Sequence, residues 1–401
     1  MSHITPIPKK AGADEAKEFR PIALTSTISK LFERLLLKFL KPHLTDSTQF
    51  AYQQNRSTED AVAYLLDIVS QHLDDNAKNH ARCLLIDYSS AFNTISPTTL
   101  INKLTTTSLN PAIVNLVYDF MTNRSQKVRT EHSLSPALNT SVGTPQGCVM
   151  SPLLFSIYVQ HMPKLLHGNF HLIKYADDTV LIELLSNGDI SNMSHAATEL
   201  AGWCTDNDLI LNVSKTKELM LCNLRDSPVH CNLNINGNDV EQVESVKYLG
   251  TVLDEKLKFN ANTVEVTKKA RKRLYIMKKL YAMHISVPLR IQCYTTFIEC
   301  LFLYHLSTVY GHLSASSKKA IDKVINLAGY LGDCKFDCID TVYNRVMKTR
   351  CLRLVTSDQV NPVFTLDQLP SGRYKTIKSR VNLRSNCFRA CCARKLNSIL
   401  F

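Results

Sequence analysis

Apolar residues recur along this chain with two different periods, and the switch between them divides it. Between residues 28 and 44 they fall at Ile28, Leu31, Phe32, Leu35, Leu36 and Phe39, the spacing of a helix. Ser57-Thr58-Glu59-Asp60 opens a second helix over 58–73, with acids in the first turn where the helix dipole favours them. Ala81 to Ile86 is a short, continuous apolar run and reads as a buried strand. Further helices are predicted at 110–122, 148–160 and 196–207. Strand-like runs lie at 171–176, 179–184, 209–212, 219–224, 233–235 and 248–253, with a hairpin over 128–142. From Val264 onward the pattern is helical and its polar positions are basic. Strands mixed with helices through 254, then helices alone, predict an α+β domain followed by a helical one.

The longest apolar stretch, 291–311, is interrupted by Glu299 and His305 and diluted by Thr295, Thr296 and Ser307. A buried core helix is the better reading of it than a membrane span. The chain has 401 residues, 45% of them hydrophobic, which excludes wholesale disorder. Its net charge of +12 suits a partner of dense negative charge, such as nucleic acid. The 13 cysteines are odd in number, irregularly spaced and partly inside apolar runs, so a secreted disulfide framework is not expected. Pro6, Pro8, Lys9 and Lys10 follow the start with no apolar run between, so a signal peptide is not expected either. The expected compartment is nuclear or cytoplasmic.

Three places carry candidate chemistry. Asp177-Asp178 falls between two strand-like runs, where a two-residue hairpin loop would favour Asn-Gly or Asp-Gly. Adjacent carboxylates repel unless a proton or cation lies between them. A solvated polar turn is the plain alternative. Asp87 ends the strand Cys83-Leu84-Leu85-Ile86, and a helix N-cap is its plain alternative. A strand-end acid and a hairpin-tip acid can meet above one sheet, and three carboxylates suit two Mg²⁺ ions. Gly143-Thr144-Pro145-Gln146-Gly147 is a glycine turn leading into a helix, which allows close backbone approach to a ligand. Taken alone it is an ordinary turn.

Together these residues resemble the reverse transcriptases. Tyr175-Ala176-Asp177-Asp178 is similar to the family's tyrosine-x-aspartate-aspartate box. Asp87-Tyr88-Ser89-Ser90-Ala91-Phe92 resembles its first aspartate motif, and Thr144-Pro145-Gln146-Gly147 with Ser151-Pro152-Leu153-Leu154-Phe155 its template-and-nucleotide motif. Ile7-Pro8-Lys9 with Phe19-Arg20-Pro21-Ile22 resembles the opening fingers motif. Asn55-Arg56-Ser57-Thr58, Leu211 to Lys217 and the primer-grip-like Tyr248-Leu249-Gly250 also match. The variants point to non-LTR, jockey-like retrotransposons. The resemblance is specific over 4–255 and weaker beyond, where Leu369-Pro370-Ser371-Gly372-Arg373 resembles tails that follow such enzymes.

The resemblance implies an α+β right-hand polymerase with an antiparallel palm sheet. Fingers and palm would occupy 1–254, a helical thumb 255–330 and a basic extension 331–401. It implies RNA-directed DNA polymerase activity, with RNA template, DNA primer and dNTPs as partners and no membrane. Asp87, Asp177 and Asp178 would hold two Mg²⁺ ions, with Mn²⁺ as a substitute, and the Tyr88 carbonyl would help. Lys9 and Arg20 would grip the triphosphate, and Gln146 and Gly147 would pack on the incoming nucleotide. Phe92 would lie beneath its sugar. Lys215, or alternatively Lys217, would protonate pyrophosphate.

Departures from the family pattern are Asn93, where an acid is common, and the expected lack of an upstream endonuclease, which would then be supplied in trans. Cys334, Cys338, Cys387, Cys391 and Cys392 have poor zinc spacing. The stretch 268–290 carries Lys268, Lys269, Arg271, Lys272 and Arg273 among eight cations and no acid, on an amphipathic helix. The resemblance makes it the thumb's nucleic-acid face. Residues 361–401 hold eight Lys or Arg against Asp367 alone, which suits phosphate contacts or disorder. A catalytically silent remnant that binds RNA is the competing reading, and a telomerase-like cellular polymerase a third.

Overall fold

The computed structural model describes residues 2–162, 168–224, 231–356 and 365–401. Strands β1 (Ser2–Pro8) and β2 (Phe19–Leu24) open the chain. β3 (His80–Ile86) follows the second long helix, and β4 (Arg124–Val128) and β5 (Leu138–Thr140) pair antiparallel, so the hairpin begins four residues before the 128–142 stretch the sequence suggested. β6 (Phe170–Tyr175), β7 (Asp178–Leu185) and β8 (Lys217–Cys222) are apolar and mostly buried. Short strands β9 (Asn234–Ile235), β10 (Asn238–Asp239), β11 (Glu241–Val243), β12 (Ser245–Tyr248) and β13 (Thr251–Asp254) end the strand-bearing region.

The central sheet has five strands in the order β11-β8-β3-β7-β6, and β3 is antiparallel to both its neighbours. Alternation sorts its side chains onto two faces. Leu84, Ile86, Leu172 and Leu181 join a core with the helices Pro97–Thr105, Pro111–Met121, Ser151–Tyr158 and Met193–Asp206. Ala81, Cys83, Ile173, Val180, Ile182, Leu219 and Leu221 pack on the Thr58–Asp75 helix. That helix starts with a full capping box between Ser57 and Asp60. A second sheet has the order β2-β1-β4-β5, and residues of its first three strands face the same cavity as Asp87 and Asp177.

The first helix, Thr27–Leu40, has the expected period but not the expected face. Ile28, Leu31, Phe32, Leu35 and Phe39 are exposed, Ile28 at 81%. The inward side holds Leu36, Leu40 and Glu33, the last only 1% exposed. Glu33 Oε2 accepts from the Val149 N–H (2.6 Å) and the Met150 N–H (2.9 Å) just before the Ser151–Tyr158 helix. A carboxylate there satisfies donors that begin a helix and answers its dipole. Glu33→Ala is expected to cost about 3 kcal/mol of stability, since it strands two N–H groups bound to a charge. A markedly lower urea midpoint than wild type is the readout.

Beyond Asp254 the described residues are helical apart from connecting turns, the irregular segment 365–381 and its one bridge, Gln368 to Tyr374. The 23-residue helix Asn260–Ala282 packs Ala270, Leu274 and Met277 against Tyr294, Ile298, Ile321, Val324 and Ile325. The apolar stretch 291–311 is a broken run of short helices, with a π-helical turn at Tyr294–Glu299 and a reversal at His305. Among the described residues no helix is long and apolar enough to cross a membrane. The C-terminal stretch folds back as the helix Phe388–Leu400, which packs with Met347, Cys351 and Tyr374 against Ala63 of the Thr58–Asp75 helix. Its described part is ordered packing rather than a free tail. Arg384 is buried against Asp67 (2.5 Å), Arg389 approaches the same carboxylate (3.6 Å), and Arg380 Nε donates to the Asp74 carbonyl (2.8 Å). Those three cations are engaged within the protein, so of the two expectations for 361–401, phosphate contacts or disorder, its described part is not disordered and offers fewer free cations than the sequence counts.

Candidate active site

Asp87 stands where β3 ends. Its N–H donates to Thr216 Oγ1 (3.3 Å) and its carbonyl accepts from the Asn212 N–H (2.8 Å), which ties the strand end to the 210–216 segment. That segment forms one bridge, Tyr88 to Leu211, in place of the expected strand. Asp87 is not a helix N-cap, because the following short helix starts at Ala91 after Ser90. Asp87 Oδ2 is buried and, among the described residues, receives no hydrogen bond.

The β6–β7 hairpin pairs Tyr175 with Asp178. The two-residue loop is therefore Ala176-Asp177, one position earlier than the sequence suggested, and Asp178 is the first residue of β7. Ala176 takes the left-handed backbone at φ +56°, a cost for a residue with a Cβ. Gln49 compensates: its Oε1 accepts from the Ala176 N–H and the Ala51 N–H, both at 3.0 Å. Lys174, fully buried, pairs with Asp46 (2.5 Å) and donates to the Val159 carbonyl (2.9 Å). Gln49, Asp46 and Lys174 were missed from the sequence. A lysine inside an apolar strand was the one visible signal, since buried lysines need partners.

The glycine turn packs on β2 and the Asp87 segment. Gly143 has φ +71°, and a Cβ there would stand 2.6 Å from the Asn93 carbonyl oxygen. Gly147 has φ +99°, and a Cβ would stand 3.0 Å from the Ala23 carbonyl oxygen. The Ala23 N–H donates to the Gln146 carbonyl (2.7 Å), and Gln146 Nε2 donates to Asn93 Oδ1 (3.1 Å).

These pieces enclose an open cavity of about 800 Å³, lined among others by Lys9, Arg20, Asp87, Tyr88, Phe92, Gln146, Gly147, Asp177 and Lys215. The Phe92 ring packs on Phe155 (centroids 4.8 Å) and is half-buried between core and cavity. Tyr88 sends its side chain into the core, and burial pushes its hydroxyl pKa far up. Lys9 Nζ donates to the Lys17 carbonyl (2.7 Å). A smaller cavity of about 130 Å³ joins Asp87, Asp178, Lys215 and Lys217 to Tyr248 and Leu249. Lys215 Nζ stands 3.7 Å from Asp87, whereas Lys217 is paired with Glu241 at 2.5 Å.

The acids feel one another. Burial first, then the charges of Asp177 and Asp87, push the Asp178 carboxyl up to about 6. Burial raises Asp177 as well, Asp87 adds to this, and Arg20 opposes it. As the side chains stand, no three His, Cys, Asp or Glu among the described residues are grouped so as to hold a metal ion. The donor chemistry nevertheless fits a hard divalent cation, being oxygen only, mutually repelling and including an orphaned buried oxygen.

On the Asn260–Ala282 helix, Lys268, Lys269, Arg271 and Lys272 are exposed. Lys269 pairs with Glu265 on the preceding turn. Arg273 is drawn inward, where Nη1 donates to the Phe297 carbonyl (2.5 Å).

Among known proteins, the probable RNA-directed DNA polymerase from transposon BS of Drosophila melanogaster is 28% identical over 365 residues, 86% of this chain and 40% of that protein. The RNA-directed DNA polymerase from mobile element jockey of Drosophila funebris is 24% identical, over 74% of this chain and 33% of its own length. The chain thus spans less than half the length of these curated relatives. A solved telomerase from Candida tropicalis, in complex with a fragment of telomeric RNA, is 13% identical over 90% of this chain and 63% of that one, with a TM-score of 0.45. Residues 7–253, which hold every strand from β2 to β12 and all three aspartates, match the model of the family described as reverse transcriptase (RNA-dependent DNA polymerase). By that match over more than half its length the chain belongs to the reverse transcriptase family, and the relatives it resembles are polymerases of Drosophila mobile elements, jockey among them.

Proposed function

We propose that this chain is an RNA-directed DNA polymerase that adds deoxynucleotides to a primer 3′-hydroxyl, copying an RNA template with two bound Mg²⁺ ions. The observation that carries the reading is the gathering of Asp87 and Asp177, with Lys9, Arg20, Phe92, Gln146 and Gly147, around one cavity. Fingers and palm would be 1–254, thumb 255–330 and extension 331–401, in a nuclear or cytoplasmic protein.

Asp87, Asp177 and Asp178 would hold the ions, with the Tyr88 carbonyl beside them. Bound there, Mg²⁺ would acidify the primer hydroxyl and offset charge on the transferring phosphate. Arg20 and Lys9 would take the triphosphate, Arg20 through its planar fork. Gln146, oriented by Asn93, and the Gly147 backbone would pack on the nucleotide. Lys215 suits the proton donor to pyrophosphate better than Lys217, because it lines the larger cavity while Lys217 is paired with Glu241. Primer extension on an RNA template, with Mg²⁺ and dNTPs, tests the proposal. Full-length product supports it. RNA binding without any extension would instead support the silent remnant.

The exposed cations of the Asn260–Ala282 helix would contact nucleic-acid backbone. Lys268→Ala, Arg271→Ala and Lys272→Ala combined are expected to make the log K against log salt slope for single-stranded RNA shallower by about 2, at roughly 0.7 per phosphate. An unchanged slope would mean that this face does not meet RNA.

A further inference from the structure

The turn at Leu249-Gly250 is the tip of a hairpin whose flanking Tyr248 and Leu253 are buried in the core under the central sheet. It joins β12 to β13, which form a separate two-stranded sheet of four paired positions. Such a hairpin is marginal on its own, so its contacts with the rest of the protein decide where it sits: Tyr248 and Leu253 hold its base, and the tip needs a contact of its own. It also sits where position matters, since Leu249 lines the small cavity with Asp87 and Asp178.

Its docking partner is the corner that breaks the apolar stretch 291–311. Helix Cys300–Leu303 ends at Tyr304, and His305 turns the chain with φ +56°. The Tyr304 hydroxyl donates to the Leu249 carbonyl at 2.8 Å. The Tyr304 ring covers Gly250 so closely that a Cβ there would stand 2.8 Å from its Cε1. The His305 ring stacks on Tyr304 at 4.0 Å. Its Nδ1 lies 2.7 Å from Thr251 Oγ1 and its Nε2 lies 2.9 Å from Thr58 Oγ1. Burial holds this imidazole near pKa 4, hence neutral, with one donor and one acceptor nitrogen for the two hydroxyls. Two residues on, Ser307 donates to Glu59 Oε1 (2.6 Å), and Arg350 pairs with Glu59 (3.0 Å) and Asp60 (2.6 Å). One corner therefore fastens the hairpin turn to the start of the Thr58–Asp75 helix.

We propose that Tyr304 and His305 are positioning residues that set the Leu249-Gly250 turn beside Asp178, and through that turn the seat of the primer terminus. The proposal rests on the polymerase reading above. Tyr304 is half exposed, so losing its hydroxyl costs the fold little, whereas a small shift of the turn is felt at the reacting end of the primer.

The test uses the 401-residue chain and a DNA primer carrying 2-aminopurine at its 3′ end, annealed to an RNA oligonucleotide. Tyr304→Phe is expected to raise the KM for primer–template about five-fold, a change of about 1 kcal/mol. It should also weaken the fluorescence change of the bound primer end. The kcat and the dNTP KM should stay within about two-fold and Tm within about 2 °C. Gly250→Ala and Tyr304→Ala should each do more, but combined they should raise KM by less than the product of the two, because the new Cβ no longer meets a ring. Unchanged KM and fluorescence in Tyr304→Phe and Tyr304→Ala, or effects that simply multiply, would overturn the proposal. A wild type that extends nothing, yet seats the primer end in a Tyr304-dependent way, would end the polymerase reading and leave this inference standing.

Discussion

Asp178→Asn is expected to reduce primer extension by a thousand-fold or more, about 4 kcal/mol of transition-state stabilisation. The substitution keeps the shape of the side chain and removes one negative charge from the place where the cations are proposed to bind. Its effect on the fold should run the other way. In the folded protein the Asp178 carboxyl is pushed up to about 6 from an ordinary value of 3.8, first by burial and then by Asp177 and Asp87. A raised carboxyl disfavours the ionised folded form, so stability is lost as pH rises from 3.8 through 6 and is regained below that window. Asn carries no charge to desolvate or repel. Metal-free Asp178→Asn is therefore expected to melt no lower than wild type at neutral pH. An inactive variant that melts markedly lower would point to damaged packing instead. Stability given up at a functional position is the pattern expected of strained sites.

Phe92→Val is expected to retain deoxynucleotide incorporation and to raise ribonucleotide incorporation at least about ten-fold relative to it, the effect of relieving about 1.4 kcal/mol. One side of the ring rests on Phe155 at 4.8 Å, and the side chain also lines the cavity with Asp87 and Gln146. A ring braced from behind cannot retreat from a 2′-hydroxyl, so rejection would come from a clash. Val leaves a smaller cavity than Ala and limits collapse toward Phe155. The measurement is single-nucleotide extension with matched deoxy and ribo substrates, compared as kcat/KM. An unchanged ratio with reduced stability would make Phe92 a core residue only.

The sequence made the chemistry easier to see than its supports. Asp87, Asp177 and Asp178 were legible because carboxylates beside apolar strands are costly and stand out. The five-strand order was not legible, since β3 pairs with β7 and β8 across 93 to 142 residues of sequence and periodicity carries no partner information. The single run 248–253 resolved into two strands, because Leu249 (φ +44°) and Gly250 (φ +84°) reverse the chain there. The first helix shows the limit of periodicity in the other direction. Its apolar stripe marked a helix but not the inward face, which a single carboxylate, Glu33, anchors through backbone N–H groups. Gln49 and Tyr304 act through backbone carbonyls and amides, and such bonds leave no side-chain pattern to read.

The central claim is templated DNA synthesis, and product sequence tests it most directly. Purified 401-residue chain is given Mg²⁺, all four dNTPs and a DNA primer on each of several RNA templates of different sequence, and the extended strands are sequenced. The account predicts extension in which each added deoxynucleotide is complementary to the RNA base opposite it, and none when Asp178 is replaced by Asn. Absence of extension by wild type, or added nucleotides whose identity does not follow the template, would contradict it.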